Sequence, residues 1–292
     1  MFNPATDLIL GLQLTSLLTI LSMLAVWLPR PQIWQTLYGI TLITGFVTGS
    51  LGAASLISLA LLLSLLWLYT RKAEIALWAW LGLLLMGVLL GLHVLPGFHN
   101  HAYVSGVQLS SDTAPFSIWF NYDKSMYGIL VLGLVFHQQL LRSWSGLKQM
   151  LRQLLPLLVG GLALVYVLGL LMGYSKWDWT PVMMFIPWAV KNLFFTVVAE
   201  EIMFRGLLQR ELSLRLPVKY AGHACVWFAA LLFGAAHFAG GLQYVLLSSL
   251  AGLLYGYAYK VTGRIEAAIL AHFILNACQF LFFSYPYLAS AI

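Results

Sequence analysis

Apolar runs of membrane-spanning length follow one another along most of this chain. They fall at about 7–28, 33–49, 53–70, 74–95, 125–141, 154–173, 182–208, 218–238, 241–260 and 266–285. A helix needs about 20 mainly apolar residues to cross a bilayer core. The pattern therefore predicts an all-α, polytopic membrane bundle of about ten transmembrane helices. The second and third runs form one apolar stretch, split only by Gly49-Ser50-Leu51-Gly52. If they form a re-entrant pair, the count is eight.

Composition agrees with that class. The 292 residues are 61% hydrophobic and only 8% charged, against about 25% charged in soluble domains. The net charge of +6 does not point to nucleic acid, because the basic residues lie between the apolar runs. Arg30, Arg71, Lys72, Arg142, Lys148, Arg152, Arg210, Arg215, Lys219, Lys260 and Arg264 occupy alternate connections, whereas the opposite connections hold Lys124 and Lys176. Positive charge is retained on the cytoplasmic side, so both termini are expected outside. Short loops and small size suggest a bacterial inner membrane. The first run is followed by Pro29-Arg30-Pro31 with no small-residue cleavage site, so it reads as a retained helix. Cys225 and Cys278 lie in apolar runs and read as buried small residues.

The longest connection, Pro96–Lys124, carries His99, His101, Asp112 and Asp123. His99-Asn100-His101 reads as solvated loop, since two His at i and i+2 lack a fixed third ligand. Trp119, Phe120 and Tyr122 fit an interfacial aromatic belt. Arg142 to Arg152 reads as a short cytoplasmic connection.

Ionisable groups inside membrane segments are costly and usually mark a pathway or a reaction centre. Three such clusters occur in the second half: Glu200-Glu201-Ile202-Met203-Phe204-Arg205, Phe233-Gly234-Ala235-Ala236-His237, and His272-Phe273-Ile274-Leu275-Asn276. Glu201 and Arg205 are four apart and share a helix face, while Glu200 points about 100° away. An ion pair locking two helices accounts for Glu201 and Arg205 but not for Glu200. His237 alone could be a polar helix-end residue. His272 and Asn276 alone could join helices by hydrogen bonds. Together, a carboxylate, imidazoles and an amide are the parts that activate water and stabilise an oxyanion.

The order Glu-Glu-x-x-x-Arg, Phe-x-x-x-His, His-x-x-x-Asn resembles the CPBP (Abi) family of intramembrane proteases, which includes the CAAX prenyl endopeptidases. The resemblance covers roughly residues 182–285, and Gly206-Leu207-Leu208-Gln209 and Thr262-Gly263-Arg264 also look like that family. It implies an intramembrane endopeptidase acting on a membrane-associated or C-terminally anchored polypeptide. Glu200 would match the water-activating glutamate and Arg205 its ordering arginine. His237 would match the second catalytic position, and His272 with Asn276 the oxyanion pair. Residues 154–292 would form the catalytic membrane domain, and 1–153 a set of helices of unassigned role. Such proteins have been described as glutamate proteases and as metalloproteases. The residues lean to the former, with no cofactor, because no His-Glu-x-x-His helix is present. A zinc site on Glu200, His237 and His272 is the alternative, and so is a catalytically silent scaffold. A proton-relaying transporter would more naturally show inverted repeats.

The charge pattern makes a topological prediction. Single cysteines in the Arg210–Lys219 and Pro96–Lys124 connections should label from opposite faces of the membrane with an impermeant reagent. Labelling of both from one face contradicts the arrangement.

Overall fold

A computed structural model describes residues 4–180, 182–217 and 222–291. The first helices are α1 (Pro4–Ala25), α2 (Pro31–Val47), α3 (Ser55–Arg71) and α4 (Ala76–Gly91). Two strands follow, β1 (His101–Val107) and β2 (Phe116–Phe120). Helices then resume with α5 (Tyr122–Val131), α6 (Trp144–Leu171), α7 (Phe185–Asn192), α8 (Val198–Glu201), α9 (Arg210–Arg215), α10 (Ala224–Ala235), α11 (Gly241–Thr262) and α12 (Ile265–Phe282). Every expected apolar run contains helix. By length and composition, Ala73–Gly91, Trp144–Leu171, Phe238–Thr262 and Ile265–Phe282 are long and apolar enough to cross a membrane. Lys219 and the start of the eighth run at 218 lie outside the described residues.

The chain divides into two compact units. One comprises Met1–Tyr103, Trp119–Leu140 and Phe194–Glu200; the other comprises Val104–Ile118, Leu141–Leu193 and Glu201–Ile292.

In the first unit, α5 packs against α1, α3 and α4. Apart from Lys124, α5 is buried along its whole length. Hydroxyl groups join the helices. Ser16 Oγ meets Tyr122 Oη at 2.9 Å, Ser22 Oγ meets Thr41 Oγ1 at 2.9 Å, and Tyr127 Oη donates to the Leu83 carbonyl at 3.3 Å. Beyond α5 the chain rewinds as a π-helix, Leu132–Phe136. There Gly133 admits the Trp34 ring, since a Cβ at Gly133 would lie 2.6 Å from it.

In the second unit, α11 packs against α6, α10 and α12. Its small residues allow the close approach. A Cβ at Gly252 would sit 3.0 Å from Ala230 Cα of α10, and Gly161 of α6 leaves room for Leu254. Small-residue contacts of this kind bring membrane helices together. Phe116, Ile118, Trp188 and Phe280 form a buried aromatic and aliphatic cluster.

Of four loop readings three change, and the His99-Asn100 stretch stays a loop with His99 exposed. The Pro96–Lys124 connection holds a two-stranded sheet, so the fold is helical with a small β element rather than purely helical. The reason is period-2 alternation: Phe116 and Ile118 are buried while Trp119 is exposed. Tyr122 is fully buried against Ser16 rather than sitting in an interfacial belt. Around His99-Asn100-His101, His99 Nδ1 donates to the Gly49 carbonyl at 2.7 Å and Asn100 Nδ2 donates to Asp123 Oδ2 at 3.1 Å. The basic segment after Arg142 is not a loop but the first turns of α6, capped by Ser143 Oγ accepting from Gly146 N at 3.1 Å.

Gly252→Val should destabilise the folded protein by about 1–3 kcal/mol, the usual cost of overpacking. Melting in detergent measures it. An unchanged melting temperature would show that α10 and α11 do not pack through this face.

Candidate active site

The run at 182–208 was expected to be one continuous helix, but it changes winding twice. α7 gives way to a π-helix at Leu193–Val197, α8 is a four-residue α segment, and a second π-helix spans Ile202–Gln209. π segments inside α-helices are rare and frequent at functional sites. Here they flank the two adjacent glutamates.

Those glutamates have different surroundings. In the first unit, Lys124 Nζ donates to Glu200 Oε1 at 3.3 Å, with both side chains about one-sixth exposed at 17% and 16%. In the second unit, Glu201 is fully buried. Its Oε1 accepts from Arg205 Nη1 at 3.1 Å and from His272 Nδ1 at 2.7 Å, while its Oε2 has no hydrogen-bond partner. Arg205, also fully buried, sends Nη2 to the Gly252 carbonyl at 2.8 Å. The guanidinium carbon lies 4.7 Å from the Phe233 ring and 5.2 Å from the Tyr255 ring, where π faces stabilise a cation.

The register is regular. Arg205 reaches the carbonyl of Gly252, and Gln209 reaches that of Gly256 at 3.0 Å, both 47 residues on. The 202–209 segment and α11 therefore run in the same direction. A Cβ at Gly256 would lie 2.9 Å from Gln209 Oε1, so glycine is needed for that contact.

The imidazoles are oriented by their partners. A carboxylate can only accept, so His272 Nδ1 carries a proton toward Glu201 and Nε2 is its other functional atom. The His272 ring stacks on Tyr255 at 4.4 Å and meets Phe233 edge-on at 5.6 Å. His237 Nδ1 donates to the Phe233 carbonyl at 2.7 Å, which leaves Nε2 with its lone pair. The His237 ring lies 4.6 Å from Phe233. Both histidines thus pack on one phenylalanine. The described part of the eighth span, α10, is only twelve residues. Asn276 Nδ2 points to Asn192 Oδ1 of α7 at 3.4 Å.

The structure brings Glu201, Arg205 and His272 into one hydrogen-bonded group, with His237 adjoining it through Phe233. It links Asn276 to Asn192 and Glu200 to Lys124. Arg205 pairs with Glu201 and not with Glu200. Asn192, Tyr255, Gly252 and Lys124 were not picked out as partners from sequence. The matched four-residue spacing of Arg205–Gln209 and Gly252–Gly256 was the available signal. Among the described residues no three His, Cys, Asp or Glu side chains cluster so as to hold a metal ion.

Residues 181–278 match a family model described as type II CAAX prenyl endopeptidase Rce1-like. This segment is similar to that family. All seven motif residues, from Glu200 to Asn276, fall inside it. Over 103 residues the chain is also 32% identical to the Bacillus subtilis (strain 168) protein described as "Uncharacterized protein YpbD", covering 33% of this chain and 48% of that one. The chain thus spans about half the length of that relative. No solved structure matches. The Rce1-like segment and the apolar helices make this an integral membrane protein.

Replacing Arg205 by Met should leave Glu201 buried without its cation. Breaking one side of a buried pair costs about 3–5 kcal/mol, so the variant should melt far below wild type or fail to accumulate. Wild-type melting would contradict the network.

Proposed function

We propose that this protein is an intramembrane endopeptidase that hydrolyses a peptide bond in a membrane-associated or C-terminally anchored polypeptide. Glu200 takes a proton from water as the water oxygen attacks the scissile carbonyl. The carbonyl oxygen becomes an oxyanion, which Asn276 stabilises by donating from Nδ2 and His272 by donating from Nε2 as the doubly protonated imidazolium whose Nδ1–H is held by Glu201. The carbon–nitrogen bond then breaks, and the departing amine takes up the proton held by Glu200. Glu201 and Arg205 hold the His272 ring, while His237 offers Nε2 to bound water or the leaving group.

The observation that carries this reading is the difference between the two glutamates. Glu201 is sealed from solvent and committed to Arg205 and His272. Glu200 keeps a side chain that is 16% exposed. A general base must meet water, so the water-activating role falls to Glu200. Its neighbour is a cation, Lys124, which favours a glutamate-type mechanism over one with a metal bound to that carboxylate. The substrate would arrive through the bilayer, and the bacterial inner membrane with both termini outside is the setting we propose.

Co-expression with a library of membrane-anchored peptides tests the activity. Wild type should release fragments, and Glu200→Gln should lose about 10²–10⁴ in rate, the worth of a positioned base, while remaining folded. Near-normal cleavage by Glu200→Gln sinks the assignment, and no cleavage by either favours a silent scaffold. Chelators should leave the wild-type rate unchanged; loss on chelation and recovery with zinc would establish the metal alternative.

A second variant separates catalysis from packing. Asn276→Ala should lower turnover by about 10²–10³ with little change in substrate affinity. If the amide only joins helices, the loss should instead be about 1 kcal/mol of stability or less, with normal cleavage per folded molecule.

A further inference from the structure

Lys124 is a conspicuous cation. It is one of two Lys or Arg residues on the connections opposite the basic ones, and the other, Lys176, pairs with Asp112 in an exposed loop contact. Lys124 lies in the first turn of α5, a helix otherwise buried along its length. An ammonium in such a helix is expensive unless something holds it. Its head group meets Glu200 Oε1 at 3.3 Å.

The backbone at Lys124 is anchored by a buried carboxylate. Asp123 is only 1% exposed. Its Oδ1 accepts from Lys124 N at 2.8 Å, and its Oδ2 accepts from His93 Nδ1 at 2.6 Å and Asn100 Nδ2 at 3.1 Å. Asn100 Oδ1 in turn accepts from Tyr122 N at 2.9 Å. His93 reaches Asp123 from a left-handed backbone, with φ of 59°. A residue with a side chain is disfavoured there relative to glycine, so the contact to Asp123 offsets a local cost. The segment carrying Glu200 is held to α5 at two further points. Ser125 Oγ donates to the Phe194 carbonyl at 3.2 Å, and a Cβ at Gly128 would lie 3.6 Å from Ala199, so the two backbones run close together there.

We propose that Lys124 is a positioning residue for Glu200, and that the Asp123–His93–Asn100 cluster fixes Lys124 in turn. The ammonium aims one carboxylate oxygen and supplies the counter-charge that the bilayer does not. The inference rests on the reading of Glu200 as the base. It assigns a catalytic purpose to the N-terminal helices, which the Rce1-like segment does not cover.

The test uses the full-length protein in detergent and one membrane-anchored peptide that wild type cleaves. Single-turnover rate, substrate affinity and melting temperature are measured for Lys124→Met, Lys124→Arg, Glu200→Gln and the Lys124→Met/Glu200→Gln double variant. Misplacing a catalytic group by about 1 Å costs on the order of 10²-fold. Lys124→Met should therefore lose roughly 10- to 100-fold in rate with affinity unchanged, and Lys124→Arg should recover most of that loss. The double variant should be no slower than Glu200→Gln alone, because Lys124 acts through Glu200. If Lys124→Met does not accumulate, Lys124→Gln keeps a polar head in the same niche and takes its place. Wild-type cleavage per folded Lys124→Met molecule, with Glu200→Gln inactive, overturns this proposal and leaves the base assignment standing. Normal cleavage by Glu200→Gln overturns the base assignment and this proposal together.

Discussion

The buried Glu201–Arg205–His272 group is the constraint on which the second unit is built. Removing ions from water costs several kcal/mol each, and attraction between them repays this only when geometry and further hydrogen bonds are good. Here one carboxylate oxygen takes two donors, the guanidinium reaches a backbone carbonyl, and two aromatic faces flank the cation. The carbonyl belongs to residue 252, whose missing side chain lets α10 lie close to α11. The polar network and the helix packing therefore use the same glycine. Neither can be changed without disturbing the other.

The two adjacent carboxylates belong to different compact units and have different surroundings. Glu201 is fully buried and accepts from an imidazole and a guanidinium. Glu200 is partly exposed and meets a lysine ammonium. The histidines follow the same logic. Each commits Nδ1 to a fixed acceptor, a carboxylate for His272 and a carbonyl for His237, and so keeps Nε2 for chemistry. Locking one ring nitrogen to define the other is how an imidazole is prepared for acid, base or donor work.

Much of the architecture was legible in the chain. Apolar runs and alternating basic loops locate helices because the bilayer demands internally satisfied backbone over a fixed length. The ion pair of Glu201 with Arg205 was readable from its four-residue spacing. The hairpin was not, because a long polar connection between apolar runs looks like loop unless its two-residue alternation, as in Phe116 and Ile118, is weighed. Nor was the partner of Arg205 on α11 evident, since a backbone carbonyl leaves no mark in the sequence beyond the glycine that exposes it. The π segments were invisible for a related reason: at Leu193–Val197 and Ile202–Gln209 the composition is that of any apolar helix. Lys124 was read only as a charge on the connections opposite the basic ones, because nothing in sequence links it to a glutamate 76 residues away.

The central claim is that the second of the two glutamates is structural and the first is not. Glu201→Gln examined for both melting temperature and single-turnover cleavage decides it most directly. The account predicts a marked fall in melting temperature, equivalent to roughly 3–5 kcal/mol for a broken buried pair. The surviving folded fraction should still cleave within about tenfold of wild type, well short of the 10²–10⁴ carried by a base. A Glu201→Gln protein that melts like wild type but has lost cleavage to that larger extent would contradict it.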